Sequence, residues 1–310
     1  MVKSINLYNS FNIKNHHKSS IILIGNFDGI HLGHQKLFSL AKKYKKKYSL
    51  KVGVLTFEPM PKMYFNKSIK NFRISNQKQK INLLSKLNVD FVITKKFDKN
   101  FSKTTSVNFI ESILKKKLKA KFIFVSNNFR FGNKREGDVK QLINYEKKCN
   151  YKIVKPKPLL IKRKIISSSL IRNYLQIGKL KETNKLLNRK WSIEGKVQSG
   201  KQLGKKIGFP TANIDIKDYV LARPGVYAVR VKITNILKTF KGIANLGYRP
   251  TFNGKKILLE AHLFHFSGNI YNKDLTVEFL KFIRKEKKFK NVNQLKKQIK
   301  IDLLTAKQTR

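Results

Sequence analysis

Cysteine is nearly absent from this chain. Cys149 is the only one in 310 residues, which excludes an intramolecular disulfide and a thiolate metal cluster. Nothing then ties the protein to an oxidising compartment. Acid is scarce too: 17 Asp and Glu face 69 Lys and Arg, for a net charge of +52. Long apolar runs are missing, and none reaches the ~20 residues that span a bilayer. Ahead of the polar stretch NSFNIKNHHKSS there is no apolar core of a signal peptide. These absences lead to the expectation of a cytoplasmic protein without a membrane segment.

Hydrophobic residues make up 41% of the chain and aromatics 11%, enough for folded cores in two domains. The charge suggests a nucleic-acid partner, since clustered cations release counterions from a phosphate backbone. The composition argues against it. Arginine, the residue of bidentate phosphate and base recognition, contributes only 11 positions against 58 lysines. The lysine runs at 42–47, 115–121 and 281–290 are scattered and lack the basic and aromatic pattern of an RNA-binding surface. A solvated lysine surface, without a specific nucleic-acid partner, is expected.

The first half alternates two textures. Apolar, strand-like runs occur at 21–27, 51–59, 89–97 and 121–126, with helical spacing at 34–48, 77–87 and 106–118. Such alternation predicts a doubly wound, Rossmann-like parallel sheet, with ligands beyond the carboxyl ends of its strands. Loops at 26–34, 57–64 and 126–138 leave such ends. After helices near 168–177 and 179–187 the pattern changes to short alternating strands from Trp191 onward, predicting an antiparallel β-barrel. Residues 291–308 read as a terminal amphipathic helix, with Val292, Leu295, Ile299 and Leu303 on one stripe. The expected domains are 1–187 and 188–310.

The most informative segment of the first domain is GNFDGIHLGHQKL at 25–37. His31 and His34 are three apart at the start of a helix, so both rings fall near one face of its first turn. Free backbone amides there already favour an anion. Gly29 and Gly33 are expected to let the backbone approach a triphosphate, and the imidazoles to stabilise charge as pyrophosphate leaves. Asp28 either accepts a hydrogen bond in the cleft or stabilises the turn. Zinc is disfavoured because no third ligand stands at short spacing. His16 and His17 are expected on the surface, and His262 and His265 on opposite faces of a strand.

TFEPMP (56–61), NNFRFGNKREGD (127–138) and ISSSLIR (166–172) follow in order. With the His pair they resemble the bifunctional riboflavin kinase/FAD synthetase family over nearly the whole chain. The resemblance implies that Gly25, Phe27, Asp28, Gly29, Gly33, Asn128, Ser168, Ser169 and Arg172 contact ATP at an adenylylation site. Arg172 has no other evident task in the sequence and suits neutralisation of a departing pyrophosphate. Two positions depart from the family pattern: Met60 stands where His is usual, and Ser126 where Gly is usual. They motivate an alternative, a riboflavin kinase with a weakened synthetase half.

The second domain carries GKVQSGKQLGKKIGFPTANI at 195–214. Gly200, Gly204 and Gly208 are expected to offer backbone amides to a polyphosphate. Thr211 and Asn213 supply hard oxygens suited to Mg²⁺ with ATP phosphates completing its shell. The spacing is not that of a Walker loop. GFPTAN, with PGVYAVRV (224–231), GIANLGYRPTF (242–252) and LEAHLF (259–264), strongly resembles riboflavin kinase. In that family's pattern Glu260 accepts the proton of the riboflavin 5′-hydroxyl. The expected partners are ATP, riboflavin and FMN.

Overall fold

The fold is that of a computed structural model, which describes residues 5–199, 204, 207–216, 218–251 and 254–309. Two compact units make up the chain: 1–69 with 77–167, and 70–76 with 168–310. These units are cut differently from the segments 1–187 and 188–310. The helices β-barrel-ward of Ser167 cluster with the barrel, and so does a short stretch drawn from the first half.

The first unit is built on a six-stranded, all-parallel sheet. Its strands are β1 (Asn6–Tyr8), β2 (Ile21–Ile24), β3 (Val52–Glu58), β4 (Phe91–Lys96), β5 (Phe122–Phe124) and β6 (Lys152–Val154). They lie in the order β1-β4-β3-β2-β5-β6. Side-chain alternation along a strand supplies both faces. Ile22 and Ile24 join one buried cluster with Leu55, Phe91, Phe109 and Leu114, while Ile21 and Leu23 join the other with Leu37, Phe38, Val54 and Leu84. Helices α1 (Leu32–Tyr48) and α2 (Gln77–Ser85) cover the second cluster. The predicted helix at 106–118 covers the first. It starts as a short α-turn (Ser106–Asn108) and continues as a π-helical stretch (Phe109–Lys117).

β1 and β6 were not anticipated. Both are three residues long and carry no run of their own, so pairing with β4 and β5 defines them. His17 is a correction. It lies in a 3₁₀ turn (Asn15–His17) and is 3% exposed. Its Nδ1 is 2.8 Å from Tyr8 Oη, and its ring stacks on Phe91 at 4.5 Å. Burial lowers its pKa.

The second unit is a closed barrel of β7 (Ser192–Gln198), β8 (Ala212–Asp215), β9 (Gly225–Ile233), β10 (Thr239–Thr251), β11 (Gly254–Leu263) and β12 (Asp274–Arg284). The order is β7-β8-β11-β10-β9-β12 and the neighbours are antiparallel. Helices α3 (Ser168–Gln176) and α4 (Leu180–Leu187) precede it, and α5 (Val292–Lys307) closes the chain. The predicted stripe on α5 faces the barrel in its second half. Ile299 and Leu303 pack with Leu280 and Ile283 against Val226, Ala228, Ile243, Phe264 and Ala306. His265 lies beyond β11, in a left-handed turn with φ 51°, and so does not share a strand with His262.

Residues 70–76 are stitched to this unit by side chain and backbone alike. Asn71 Nδ2 donates to the carbonyls of Ile216 and Tyr219 at 3.2 and 3.0 Å. Arg73 N–H donates to Asp218 O, and Val220 N–H donates back to Arg73 O. Trp191 Nε1 donates to Ile74 O at 2.9 Å. Each backbone group of an irregular segment needs such a partner once buried.

Candidate active sites

In the first unit β2 ends at Ile24 and the chain turns sharply before α1. The turn holds three residues at positive φ: Phe27 at 48°, Gly29 at 77° and Ile30 at 39°. Only glycine takes such a conformation freely, which accounts for Gly29. Phe27 and Ile30 are held there by burial at 3% and 2% exposure, within the cluster of Leu37 and Phe38. Asp28 is buried between them.

His31 is the N-cap of α1, and its Nδ1 accepts the His34 N–H at 3.4 Å. That bond leaves Nδ1 unprotonated, so in the neutral ring the proton sits on Nε2. The two imidazoles stack at 3.7 Å between centroids with 19° between planes. Phe27 presses edge-on against His34 at 5.2 Å. His34 as a residue is half-buried, yet its Nδ1 is shut off from solvent and has no hydrogen-bond partner. Desolvation, with the neighbouring His31 charge second, holds its pKa well below 6.5. His34 is thus held neutral, with an unsatisfied ring nitrogen, at the positive end of a helix, a place suited to an anion that brings compensating charge.

Gly33 serves a purpose the sequence did not reveal. A Cβ there would meet the His31 ring at 3.1 Å and Ile166 O at 3.4 Å. It makes room for the histidine. At Gly25 a Cβ would lie 3.2 Å from the Phe27 ring. Met60 is 2% exposed, packed inside the unit, so the departure from the family pattern is an apolar core position.

The loop after β5 begins with a turn in which Phe129 N–H donates to Ser126 O. Ser126 Oγ bonds Asn128 Oδ1 at 3.0 Å, so the second departure adds a hydroxyl that engages the candidate asparagine. The remainder is a short hairpin, Arg130–Phe131 with Gly137–Asp138, anchored where Glu136 accepts the Ser106 N–H at 2.6 Å. Among the described residues no group of three or more His, Cys, Asp or Glu could hold a metal ion.

Ser168, Ser169 and Arg172 belong to the second unit, on the first turns of α3. Arg172 has a structural task that the sequence does not show. Its Nε donates to Phe72 O at 2.8 Å and its guanidinium lies 3.7 Å over the Phe72 ring, fastening the 70–76 stretch.

The barrel contains a cavity of about 650 Å³ lined by Thr211, Asn213, Asn245, Glu260 and His262 on one side and by Arg284, Glu286 and the start of α5 on the other. Strand register builds the polar row. Asn213 on β8 is directly opposite Glu260 on β11, and Glu260 is directly opposite Asn245 on β10. Opposite residues in an antiparallel ladder share a face, with Cβ atoms about 5 Å apart. Thr211, two before Asn213, points to the same side. Glu260 therefore occupies an interior strand of the sheet and faces the cavity. Asn213 is 8% exposed, and its Oδ1 is buried without a hydrogen-bond partner. A buried orphan oxygen costs about 1–3 kcal/mol unless a ligand satisfies it.

The loop before this row is closed on itself. Gly204 O accepts the N–H groups of Ile207 and Phe209, and a Cβ on Gly204 would collide with Phe209 O. Gly208 has φ 89°. Gly200 lies outside the described residues. At the far wall Arg284 clamps Asp302 of α5 with Nε at 2.9 and 3.0 Å and Nη2 at 2.8 Å, and Gln298 adds a third donor. Asp302 is 1% exposed, a buried acid whose charge is paired. Asn245 and Asp302 were not singled out in advance. The signal for Asn245 was available: the even spacing in GIANLG places it on the face of Ile243.

The chain matches two family models: FAD synthetase over residues 13–170 and riboflavin kinase over residues 187–310. Its relatives include proteins named bifunctional riboflavin kinase/FMN adenylyltransferase. That of Buchnera aphidicola subsp. Schizaphis graminum is 40% identical over 96% of each chain. That of Haemophilus influenzae is 40% identical over 92% of each, and that of Escherichia coli K12 is 36% identical over 93% of this chain and 92% of its own. A crystal structure from Streptococcus pneumoniae, described as a macrolide-efflux protein, superposes with a TM-score of 0.84 at 28% identity, covering 98% and 99% of the two chains. Among the described residues no helix is long and apolar enough to cross a membrane.

Proposed function

The chain belongs to the bifunctional riboflavin kinase/FMN adenylyltransferase family, and from that premise we propose which residues perform each of its two reactions. ATP phosphorylates riboflavin to FMN, and a second ATP adenylylates FMN to FAD with release of pyrophosphate. Both family models match, so the reading with two active halves holds over that of a kinase with a weakened synthetase. The observation that carries the kinase assignment is the shared cavity of Thr211, Asn213 and Glu260.

In the kinase step the ribityl 5′-hydroxyl attacks the γ-phosphorus and the bond to the ADP oxygen breaks. Glu260 accepts the hydroxyl proton. Thr211 Oγ1 and Asn213 Oδ1 would hold Mg²⁺ with the ATP phosphates, and the orphaned Asn213 oxygen fits a hard cation. Bound there, the cation supplies neutralisation of phosphate charge. Gly204 and Gly208 shape the loop over the polyphosphate.

In the adenylylation step an oxygen of the FMN phosphate attacks the α-phosphorus and pyrophosphate leaves. His31 donates through Nε2–H to the phosphates, and His34 gains a proton or a hydrogen bond as charge collects beside it. Gly25, Phe27, Asp28 and Gly29 form the cradle, and Gly33 frees the His31 ring. Asn128, Ser168, Ser169 and Arg172 are assigned as ATP contacts from the family pattern. The reactions draw on ATP and riboflavin, for which a cytoplasmic location is the natural one, without a specific nucleic-acid partner.

Incubation of the protein with riboflavin, ATP and Mg²⁺, followed by separation of the flavins, tests the reading. FMN and then FAD should accumulate. Persistence of riboflavin alone would overturn it.

A further inference from the structure

The peptide between Pro210 and Thr211 is held by a contact that neither reaction mechanism uses. Proline brings no N–H, and the β8–β11 ladder begins one residue later, with Ala212 opposite Ala261. Among the described residues, no ladder bond therefore fixes Thr211. What fixes its preceding peptide is His262, whose Nδ1 lies 2.8 Å from Pro210 O. A carbonyl only accepts, so Nδ1 carries the proton. His262 is two residues from Glu260 on β11 and lines the same cavity. The Phe209 ring meets the His262 ring edge-on at 5.9 Å, and Phe209 N–H closes the loop onto Gly204 O. One imidazole thus pegs the end of the 204–210 loop to the strand that bears the general base.

We propose that His262 is a positioning residue of the kinase site: through the Pro210 carbonyl it holds Thr211 so that its hydroxyl and Asn213 Oδ1 together receive the divalent cation bound with ATP. This rests on the kinase assignment above. Hydrogen-bond partners that orient metal ligands are worth about 10–100-fold in metal affinity. Removal of this peg leaves both oxygens present but loosens one.

The test compares His262→Ala, His262→Asn and His262→Gln in the full chain. Asparagine can place a donor where Nδ1 stands; glutamine places its amide nearer Nε2. Calorimetric titration with ADP at stepped Mg²⁺ concentrations is read beside the Mg²⁺ dependence of FMN formation. Thr211→Ala identifies which ADP-binding event belongs to the barrel. In His262→Ala that event should weaken about tenfold, and the Mg²⁺ midpoint for FMN formation should rise about tenfold. Saturating Mg²⁺ should restore most of kcat, and His262→Asn, unlike His262→Gln, should return both values toward the parent. FAD formation from supplied FMN should not change. An unchanged midpoint and ADP affinity in His262→Ala overturn the proposal. So does failure of His262→Asn to recover while its melting temperature matches the parent. If the parent chain forms no FMN, the kinase assignment itself falls; if it does, only the role of His262 is at stake.

Discussion

The turn at 25–34 and the cavity row of the barrel are assigned the same cosubstrate, yet they are built from opposite materials. The turn owes its shape to backbone: Phe27, Gly29 and Ile30 sit at positive φ, and His31 is placed by being a helix N-cap. Strained backbone persists where surrounding packing over-determines it, here the buried Phe27 and Ile30. The barrel row owes its shape to register, with Asn213, Glu260 and Asn245 opposite one another across three strands in unstrained ladders. The difference teaches where each site is vulnerable. The first is sensitive to an added carbon atom, the second to the loss of a functional group.

That contrast can be broken most sharply at Glu260. Glu260→Ala should lower FMN formation on the order of a thousandfold, while FAD formation from supplied FMN stays within twofold or so of the parent. His31→Ala should do the reverse, lowering FAD formation about a hundredfold and leaving FMN formation intact, as chromatography of the flavins reads directly. A subtler test adds a methyl group. Gly33→Ala brings a Cβ to 3.1 Å from the His31 ring and should slow FAD formation about tenfold by displacing it. Normal FAD formation by that variant would remove the steric basis of the comparison.

The smallest effect is on stability. His34 titrates well below 6.5 in the folded chain because burial opposes its charge. The unfolded chain takes up a proton there near pH 6.5 and the folded chain does not. Stability therefore falls as pH drops through 6.5 toward the depressed folded value, and the group contributes nothing well above pH 6.5. Melting curves at stepped pH should show this decline in the parent and a shallower one in His34→Asn.

Much of the fold was legible because long elements announce themselves. The strands at 52–58 and 91–96 carry apolar runs and the helix at 32–48 a helical spacing, which packing merely completes. β1 and β6 were not legible, since three residues carry no period and only the neighbouring strand defines them. The capture of residues 70–76 by the barrel unit could not be read either, because Asn71 and Arg73 bind carbonyls more than a hundred residues away. For the candidate sites, residue types at fixed local spacing were visible: the His pair, and Thr211 with Asn213. Long-range duties were not. Arg172 holds Phe72, and His262 holds Pro210. The purpose of Gly33 needed the position of the His31 ring.

Separateness of the two sites is the central claim, and mixing two broken proteins tests it most directly. Glu260→Ala and His31→Ala are incubated singly and together with riboflavin, ATP and Mg²⁺. Alone, the first should leave riboflavin untouched and the second should stop at FMN; together they should yield FAD. Riboflavin left untouched by His31→Ala alone, or absence of FAD from the mixture, would contradict the account.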